Sequence, residues 1–235
     1  MTLWTFLGRQ WTILPSAPRG PYLKGKVVLM TGANSGIGLE SLKHFARASP
    51  SKLILCVRSL QPTEEILTKL QSLHPDLQAE IIHLDLCDLA TIKILPDELK
   101  KRGLNKIDVV INNAGAHPGN ADKPPTFTKD GYEQTPGLAV TNLGRDFKFS
   151  LSFVLFGAPF LFLNARSAEK GARNVSSAVA QADQSYDYWA ECGPSYSESS
   201  WLTSGTGIKA TKALYQEMID EVEKISPGVT KGLIV

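Results

Sequence analysis

The 235-residue chain predicts an α/β fold, a doubly wound parallel sheet with helices on both faces. Two observations carry that expectation. Short apolar runs recur at Val27–Met30, Lys52–Val57, Ile81–Leu84 and Ile107–Ile111 without the polar alternation of a half-exposed strand, so each reads as a parallel strand buried on both faces. Between and after them, apolar residues return at helical spacing: Leu39, Leu42, Phe45 and Ala46; Ile66, Leu67, Leu70 and Leu73; Leu89, Ile92 and Leu99; and, near the C-terminus, Ala210, Leu214, Met218 and Val222. With 43% hydrophobic composition the chain can bury one good core. A single domain over residues 25–235 is expected, preceded by an N-terminal extension, residues 1–24.

The extension carries Trp4, Phe6, Leu7, Trp11, Ile13 and Leu14 ahead of a loop with Pro15, Pro18, Gly20 and Pro21. That apolar run is too broken for a signal peptide and too short to span a bilayer. A peripheral helix packed on the domain is expected, with weak membrane or partner docking as the alternative.

The first strand runs straight into Gly32-Ala33-Asn34-Ser35-Gly36-Ile37-Gly38 and then a helix. Gly32 permits a tight turn, Gly36 lets the backbone approach a phosphate, and Gly38 lets the new helix pack close to the strand. Free N–H groups at the helix start then face an anion. Gly32, Asn34, Ser35, Gly36, Ile37 and Gly38 are therefore candidate ligands of a dinucleotide pyrophosphate on a Rossmann-type sheet. Such turns also occur without a ligand, and the later strand ends weigh against that reading.

The second strand ends at Arg58, 20 residues past Gly38. An acidic residue there would accept from the ribose 2′-hydroxyl of NAD, whereas an arginine matches a 2′-phosphate, so NADP is the expected cofactor. The alternative is an arginine solvated at a strand end. After the third strand come Asp85, placed to accept from the adenine amino group, and Leu86. The fourth leads into Asn112-Asn113-Ala114-Gly115, where Asn113, Ala114 and Gly115 let the backbone pass close to the adenine ribose; Asn and Gly also suit a plain turn.

Other features exclude function classes. A net charge of +2 gives nucleic acid no electrostatic footprint. Cys56, Cys87 and Cys192 lack metal-ligand spacing and cannot all pair, which fits a reducing, cytoplasmic compartment. His44, His74, His83 and His117 are scattered, so no metal is expected. Residues 151–163 are the most apolar stretch, broken by Pro159 and short of the roughly 18 residues a spanning helix needs. A buried or subunit-facing helix is expected there, the latter in a homodimer.

Thr31-Gly32-Ala33-Asn34-Ser35-Gly36-Ile37-Gly38, Asp85-Leu86 and Asn112-Asn113-Ala114-Gly115 together resemble the signature of the short-chain dehydrogenase/reductase superfamily. With Cys56-Val57-Arg58 and Asp130-Gly131-Tyr132-Glu133, the chain is most similar to the retinol-dehydrogenase-like branch, which includes fungal reductases of secondary metabolism. The resemblance is collinear over residues 25–135. It implies NADP(H)-dependent hydride transfer to or from a small, fairly apolar carbonyl or alcohol. In such a site a tyrosine moves the proton, a lysine four residues later holds the nicotinamide ribose, and a serine and an asparagine complete the arrangement. By resemblance Ser177, in Asn174-Val175-Ser176-Ser177, is the serine at a strand end. Lys212, in Ala210-Thr211-Lys212-Ala213-Leu214, is the lysine, and Asn142 stands nearest to the asparagine.

The departures fall on the proton relay. Ile208 stands four residues before Lys212, and Tyr-x-x-x-Lys spacing occurs only at Tyr22 and Lys26. Tyr186, Tyr188 and Tyr196 lie between Ser177 and Lys212 without fixed register to the lysine. Thr141 holds the asparagine's place relative to Gly144, so Asn142 is displaced by about 100° around a helix. Residues 169–173 lack the aliphatic run of a fifth strand. The chain stops at Gly232-Leu233-Ile234-Val235, within the sixth strand, leaving out the family's seventh strand and substrate lid. Beyond about residue 135 these departures mark either a diverged protein or a faulty reading frame. Two functions follow, an NADP-dependent oxidoreductase or a non-catalytic NADP-binding relative acting as partner or scaffold, and only the proton donor separates them.

Overall fold

The computed structural model describes residues 8, 11–115, 127–132, 167–181, 189–194 and 204–231. The chain divides into two compact units, Met1–Gly193 and Pro194–Val235.

In the first unit, strands β1 (Val27–Thr31), β2 (Lys52–Val57), β3 (Ala79–His83) and β4 (Val109–Ile111) form one parallel sheet in the order β3-β2-β1-β4. Val28 of β1 lies opposite Leu53 on one side and Val109 on the other, and Leu55 of β2 lies opposite Ile81. The two-residue period of a strand sends Val28, Met30, Leu53, Leu55 and Val57 to one face and Leu29, Ile54 and Cys56 to the other. Helices α1 (Gly36–Ala46) and α2 (Leu60–Leu73) cover the first face through Leu42, Phe45, Ala46, Leu67 and Leu70. Helix α3 (Leu89–Lys101) covers the second through Ile92, Leu95 and Leu99. The doubly wound α/β arrangement is thus present, with apolar strands buried on both faces as the sequence reading expects. Each fully buried side chain of the size of Phe45, Leu42 or Leu53 contributes about 1.5–3 kcal/mol.

Strand limits differ from the apolar runs for local reasons. β3 starts at Ala79 because Ala79 and Glu80 pair with Leu53 and Ile54, and the Glu80 carboxylate is held by Lys52 at 2.6 Å. β4 starts only at Val109. Ahead of it, Asp108 meets the start of β1 twice, donating its N–H to the Val27 carbonyl at 2.9 Å and accepting from the Val27 N–H through Oδ2 at 2.9 Å. Leu73, the last residue of α2, is exposed rather than buried with Leu70.

The segment read as the serine-bearing fifth strand is helix α4 (Ala168–Gln181). Its residues are those of a helix: Glu169 and Arg173 pair at i,i+4 with 2.8 Å between Nε and Oε1, and Ala172, Val175, Ser176 and Val179 make one inward face. That face packs on α1. Two short strands, β5 (Trp189–Ala190) and β6 (Gly193–Pro194), pair with each other beyond it.

Of the extension, Leu14 is buried while Trp11 and Ile13 are exposed, and the chain from Thr12 to Arg19 has no regular structure. The second unit holds helix α5 (Gly205–Ile225), capped at its start by Ser204, whose side chain accepts from the Gly207 N–H at 3.1 Å. Leu214, Met218 and Val222, expected on one face, are all exposed. Trp4, Phe6, Leu7, Thr141, Asn142, residues 151–163, Tyr186, Tyr188, Tyr196 and residues 232–235 lie outside the described residues. Among the described residues, no helix is long and apolar enough to cross a membrane, and no group of three or more His, Cys, Asp or Glu gathers to hold a metal. Among the described residues no disulfide joins Cys56, Cys87 and Cys192, and burial pushes the Cys56 thiol up to about 11.

Candidate dinucleotide site

All four strands run the same way, so their carboxyl ends share one edge of the sheet. The chain builds outward from β1 to β2 to β3 and then crosses back to place β4 on the other side of β1. That reversal opens a crevice at the carboxyl ends of β1 and β4, where ligands of open α/β sheets bind.

Gly32 leaves β1 with φ of 66°, and a Cβ added there would lie 2.8 Å from the Ala114 Cα at the end of β4. A Cβ at Gly38 would lie 2.1 Å from the Gly32 carbonyl oxygen and 2.4 Å from the Asn113 Nδ2. Only hydrogen fits at either position, so the first turn of α1 sits directly on the strand end. Asn113 closes the arrangement: its Nδ2 donates to the carbonyls of Thr31 at 3.1 Å and Gly32 at 2.9 Å. The Thr31 hydroxyl in turn accepts from the backbone N–H groups of Asn113 at 3.1 Å and Ala114 at 3.0 Å. This staple between β1 and β4 escapes sequence reasoning, which assigned Asn113 and Ala114 only to passage of the backbone near a ribose. The one signal available was a threonine before the first glycine and an asparagine after the fourth strand. Asn113→Ala is expected to lower stability by about 1–3 kcal/mol, because two carbonyls lose their shared donor; denaturant unfolding monitored by circular dichroism checks it.

The rim of the crevice is polar and open. Ser35, the N-cap of α1, is exposed and makes no side-chain cap bond, and the first intrahelical bond behind it runs from the Leu39 N–H to the Ser35 carbonyl at 3.1 Å. The earlier N–H groups of α1 therefore point past the helix end, next to Asn34, Gly36 and Ile37. Arg58 is exposed at the end of β2 and is followed by Ser59, the N-cap of α2, which also makes no side-chain cap bond. Beyond β3, Asp85 Oδ1 accepts from the Cys87 N–H at 2.9 Å, while Leu86 is 49% exposed. Asp88 caps α3 by accepting from the Ala90 N–H, and its pairing with Lys129 holds its carboxyl below the ordinary range. Asp130 Oδ2 accepts from the Leu89 N–H at 2.8 Å, so the Asp-Gly-Tyr segment is anchored to the start of α3. Gly115 follows Ala114, and a Cβ there would meet nothing within 4 Å among the described residues. Glycines that a Cβ would jam, a helix start aimed outward and an arginine at the second strand end fit a nicotinamide dinucleotide.

Residues 26–138 match the family model described as short chain dehydrogenase. Over that stretch the chain is similar to the short-chain dehydrogenase/reductase family. A short-chain dehydrogenase/reductase of Colletotrichum higginsianum is 32% identical over 155 residues, covering 65% of this chain and 35% of the relative. One of Armillaria gallica is 29% identical over 191 residues, covering 77% of this chain and 58% of the relative. An NADP-dependent 3-hydroxy acid dehydrogenase of Schizosaccharomyces pombe is 40% identical over 93 residues, covering 40% of this chain and 35% of the relative. The chain thus spans between 35% and 58% of the length of these relatives.

The family-model match ends at residue 138, before every candidate for proton transfer. Ser177 sits on helix α4, not at a strand end, and is 2% exposed. Its hydroxyl donates to the Cys192 carbonyl at 2.9 Å and accepts from Gln181 Nε2 at 3.0 Å. The neighbouring Asn174 Oδ1 accepts from the Cys192 N–H at 2.9 Å. The Asn174–Ser177 segment therefore holds the β5–β6 turn in place. Lys212 belongs to α5 in the second unit, where Ile208, one helical turn before it, is 47% exposed. Asn142 lies outside the described residues.

Proposed function

We propose that the chain binds NADP(H) at the Gly32–Gly38 turn and descends from oxidoreductases that transfer a hydride to or from a small, apolar carbonyl or alcohol, in secondary-metabolite biosynthesis. The reading is carried by one observation, the seating of α1 on the end of β1, where Gly38 leaves no room for a Cβ between the Gly32 carbonyl and Asn113. In this reading Asn34, Ser35, Gly36 and Ile37 hold the pyrophosphate with the N-terminus of α1. Asp85 and Leu86 flank the adenine, and Gly115 admits its ribose. When bound, the nicotinamide would supply or accept the hydride, and Lys212, by its place in the Ala210–Leu214 motif, is the residue proposed for its ribose. The dimer is part of the same proposal and has residues 151–163 as its candidate contact.

Arg58 supports NADP over NAD: it is exposed at the end of β2, next to the uncommitted hydroxyl of Ser59 and the start of α2, a setting that favours a 2′-phosphate. The Schizosaccharomyces pombe relative is NADP-dependent by name. Wild type is expected to bind NADPH more tightly than NADH, and Arg58→Asp to invert the order with about a tenfold or larger loss for NADPH. Fluorescence titration of both proteins with both dinucleotides decides this. Equal or tighter binding of NADH by wild type contradicts the assignment of Arg58.

A second reading, NADP(H) binding without appreciable turnover, is favoured by the hydroxyl of Ser177, which is buried and committed to Cys192 and Gln181, and by Ile208 in the acid's place. As a partner or scaffold the protein needs the dinucleotide site but not the proton relay.

A further inference from the structure

Helix α4 packs on α1 through a seam that is unusually polar for a buried helix contact. His44 is 7% exposed and Ser176 is 0% exposed, and His44 Nδ1 lies 2.8 Å from Ser176 Oγ. On the other edge of the ring, Nε2 faces Glu169 Oε1 at 3.8 Å, beyond hydrogen-bond distance. Glu169 is already committed to Arg173, whose Nε donates to both its oxygens at 2.8 and 3.1 Å, and Arg173 also reaches the Leu14 and Pro15 carbonyls. Tyr22 also faces Ser176 at this seam, and on α1 the Ser41 hydroxyl is buried with no hydrogen-bond partner among the described residues. Near the start of α1 the helices are in close contact, and a Cβ on Gly171 would lie 3.0 Å from Ile37 Cδ1. Ile37 belongs to the turn that faces the dinucleotide.

A neutral His44 satisfies this seam, because its Nδ1–H donates to Ser176 Oγ, whose own proton goes to the Ala172 carbonyl at 2.8 Å, and no charge is buried. A protonated ring is a different object: a cation taken out of water, with Nε2–H lacking an acceptor within reach. The charged groups around it do not rescue it. Glu169 and Glu40 attract the cation, Arg47 and Arg173 repel it, Lys170 offsets Glu169 from outside, and burial outweighs them all, holding the His44 ring below the ordinary histidine value. Tyr22, the remaining titratable group at the seam, is itself pushed up by burial and stays neutral.

We propose that α4 is an acid-released clamp on α1, docked while His44 is neutral and loosened when His44 takes up a proton, so that the first turn of α1 loses its support at Ile37. The consequence for dinucleotide affinity rests on the NADP(H)-binding reading above; the clamp itself does not.

The sign follows from proton uptake on release. With the docked ring titrating below 6.5, the ordinary value, docking is fully stable above 6.5 and weakens as pH falls through the window between that value and the docked one. Within that window the opening equilibrium rises by up to about tenfold per pH unit, and below it levels off.

Hydrogen–deuterium exchange of the full chain between about pH 7.5 and about pH 5, corrected for intrinsic rates, reads this directly. The expected result is that amides of residues 168–181 lose protection below 6.5 while those of β1 and β2 do not, and that His44→Gln, which cannot titrate, flattens the profile. Exchange of α4 that tracks β1 and β2 at every pH in wild type overturns the clamp, even if His44→Gln fails to fold; so does a pH dependence that survives in a folded His44→Gln. Calorimetry with NADP+ at the same pH values is expected to show wild-type affinity falling in step with α4 protection, and falling less in His44→Gln, which controls for titration of the 2′-phosphate. Absence of NADP+ binding at about pH 7.5 overturns the dinucleotide reading, while the exchange profile still decides the clamp.

Discussion

Gly38→Ala is expected to cost about 3 kcal/mol and to abolish dinucleotide binding. The added methyl would lie 2.1 Å from the Gly32 carbonyl oxygen and 2.4 Å from Asn113 Nδ2, both held in place, the first by the main chain and the second by its bonds to Thr31 and Gly32. Neither is the free end of a flexible side chain, so α1 must lift from β1, and the cost lies at or above the upper end for overpacked sites. For a chain of this size that is a fall of about 6–12 °C in Tm. Lifting α1 also moves the N–H groups that face the pyrophosphate, so binding goes even at temperatures where the variant stays folded. Gly205→Ala, at a position with open space around it, is the matched control and is expected to change neither property. Calorimetric unfolding and NADPH titration of the two variants side by side check the prediction. A Gly38→Ala protein with wild-type Tm contradicts the described seating of α1.

Ile208→Tyr is expected to raise a very low wild-type turnover by about 10²-fold, the lower end for a positioned general acid. Residues 208 and 212 are one turn apart on α5, so a phenol at 208 shares a helix face with the Lys212 ammonium, which favours the phenolate and lowers its pKa. NADPH affinity is expected to stay unchanged, because the substitution adds an acid without touching the glycine turn. The assay follows nicotinamide absorbance against a panel of small apolar ketones and aldehydes. A wild-type enzyme that turns over rapidly, and that loses activity when Tyr186, Tyr188 or Tyr196 is changed to Phe, would place the proton donor between Ser177 and Lys212 and remove Ile208 from the acid's position.

The parts of this protein that are legible in its sequence are those set by local chemistry. β2 reads from its residues because Leu53 to Val57 are apolar on both faces, a pattern that only a strand covered on both sides needs. The glycine turn and Arg58 read from their spacing, since parallel strands of similar length bring consecutive strand ends to one edge. What escaped depends on residues far apart in the chain. The Asn113 amide closes a turn more than 80 residues earlier, a pairing that only the fold brings together. The α4 segment shows the opposite failure, where the likeness of Asn174-Val175-Ser176-Ser177 to a serine-bearing strand overrode a local signal. Glu169 and Arg173 at i,i+4, with alanines and serines at helical spacing, describe the helix that forms. Ser177 then finds its partner in Cys192, 15 residues on, in a turn that sequence reasoning did not place.

The central claim is that this chain holds a working dinucleotide site, and calorimetric titration of the wild-type protein with NADPH and with NADH tests it most directly. The account predicts saturable one-to-one binding with NADPH the tighter ligand. No saturable heat from either dinucleotide up to about 1 mM would contradict it and would leave the Gly32–Gly38 turn as a purely structural joint between strand and helix.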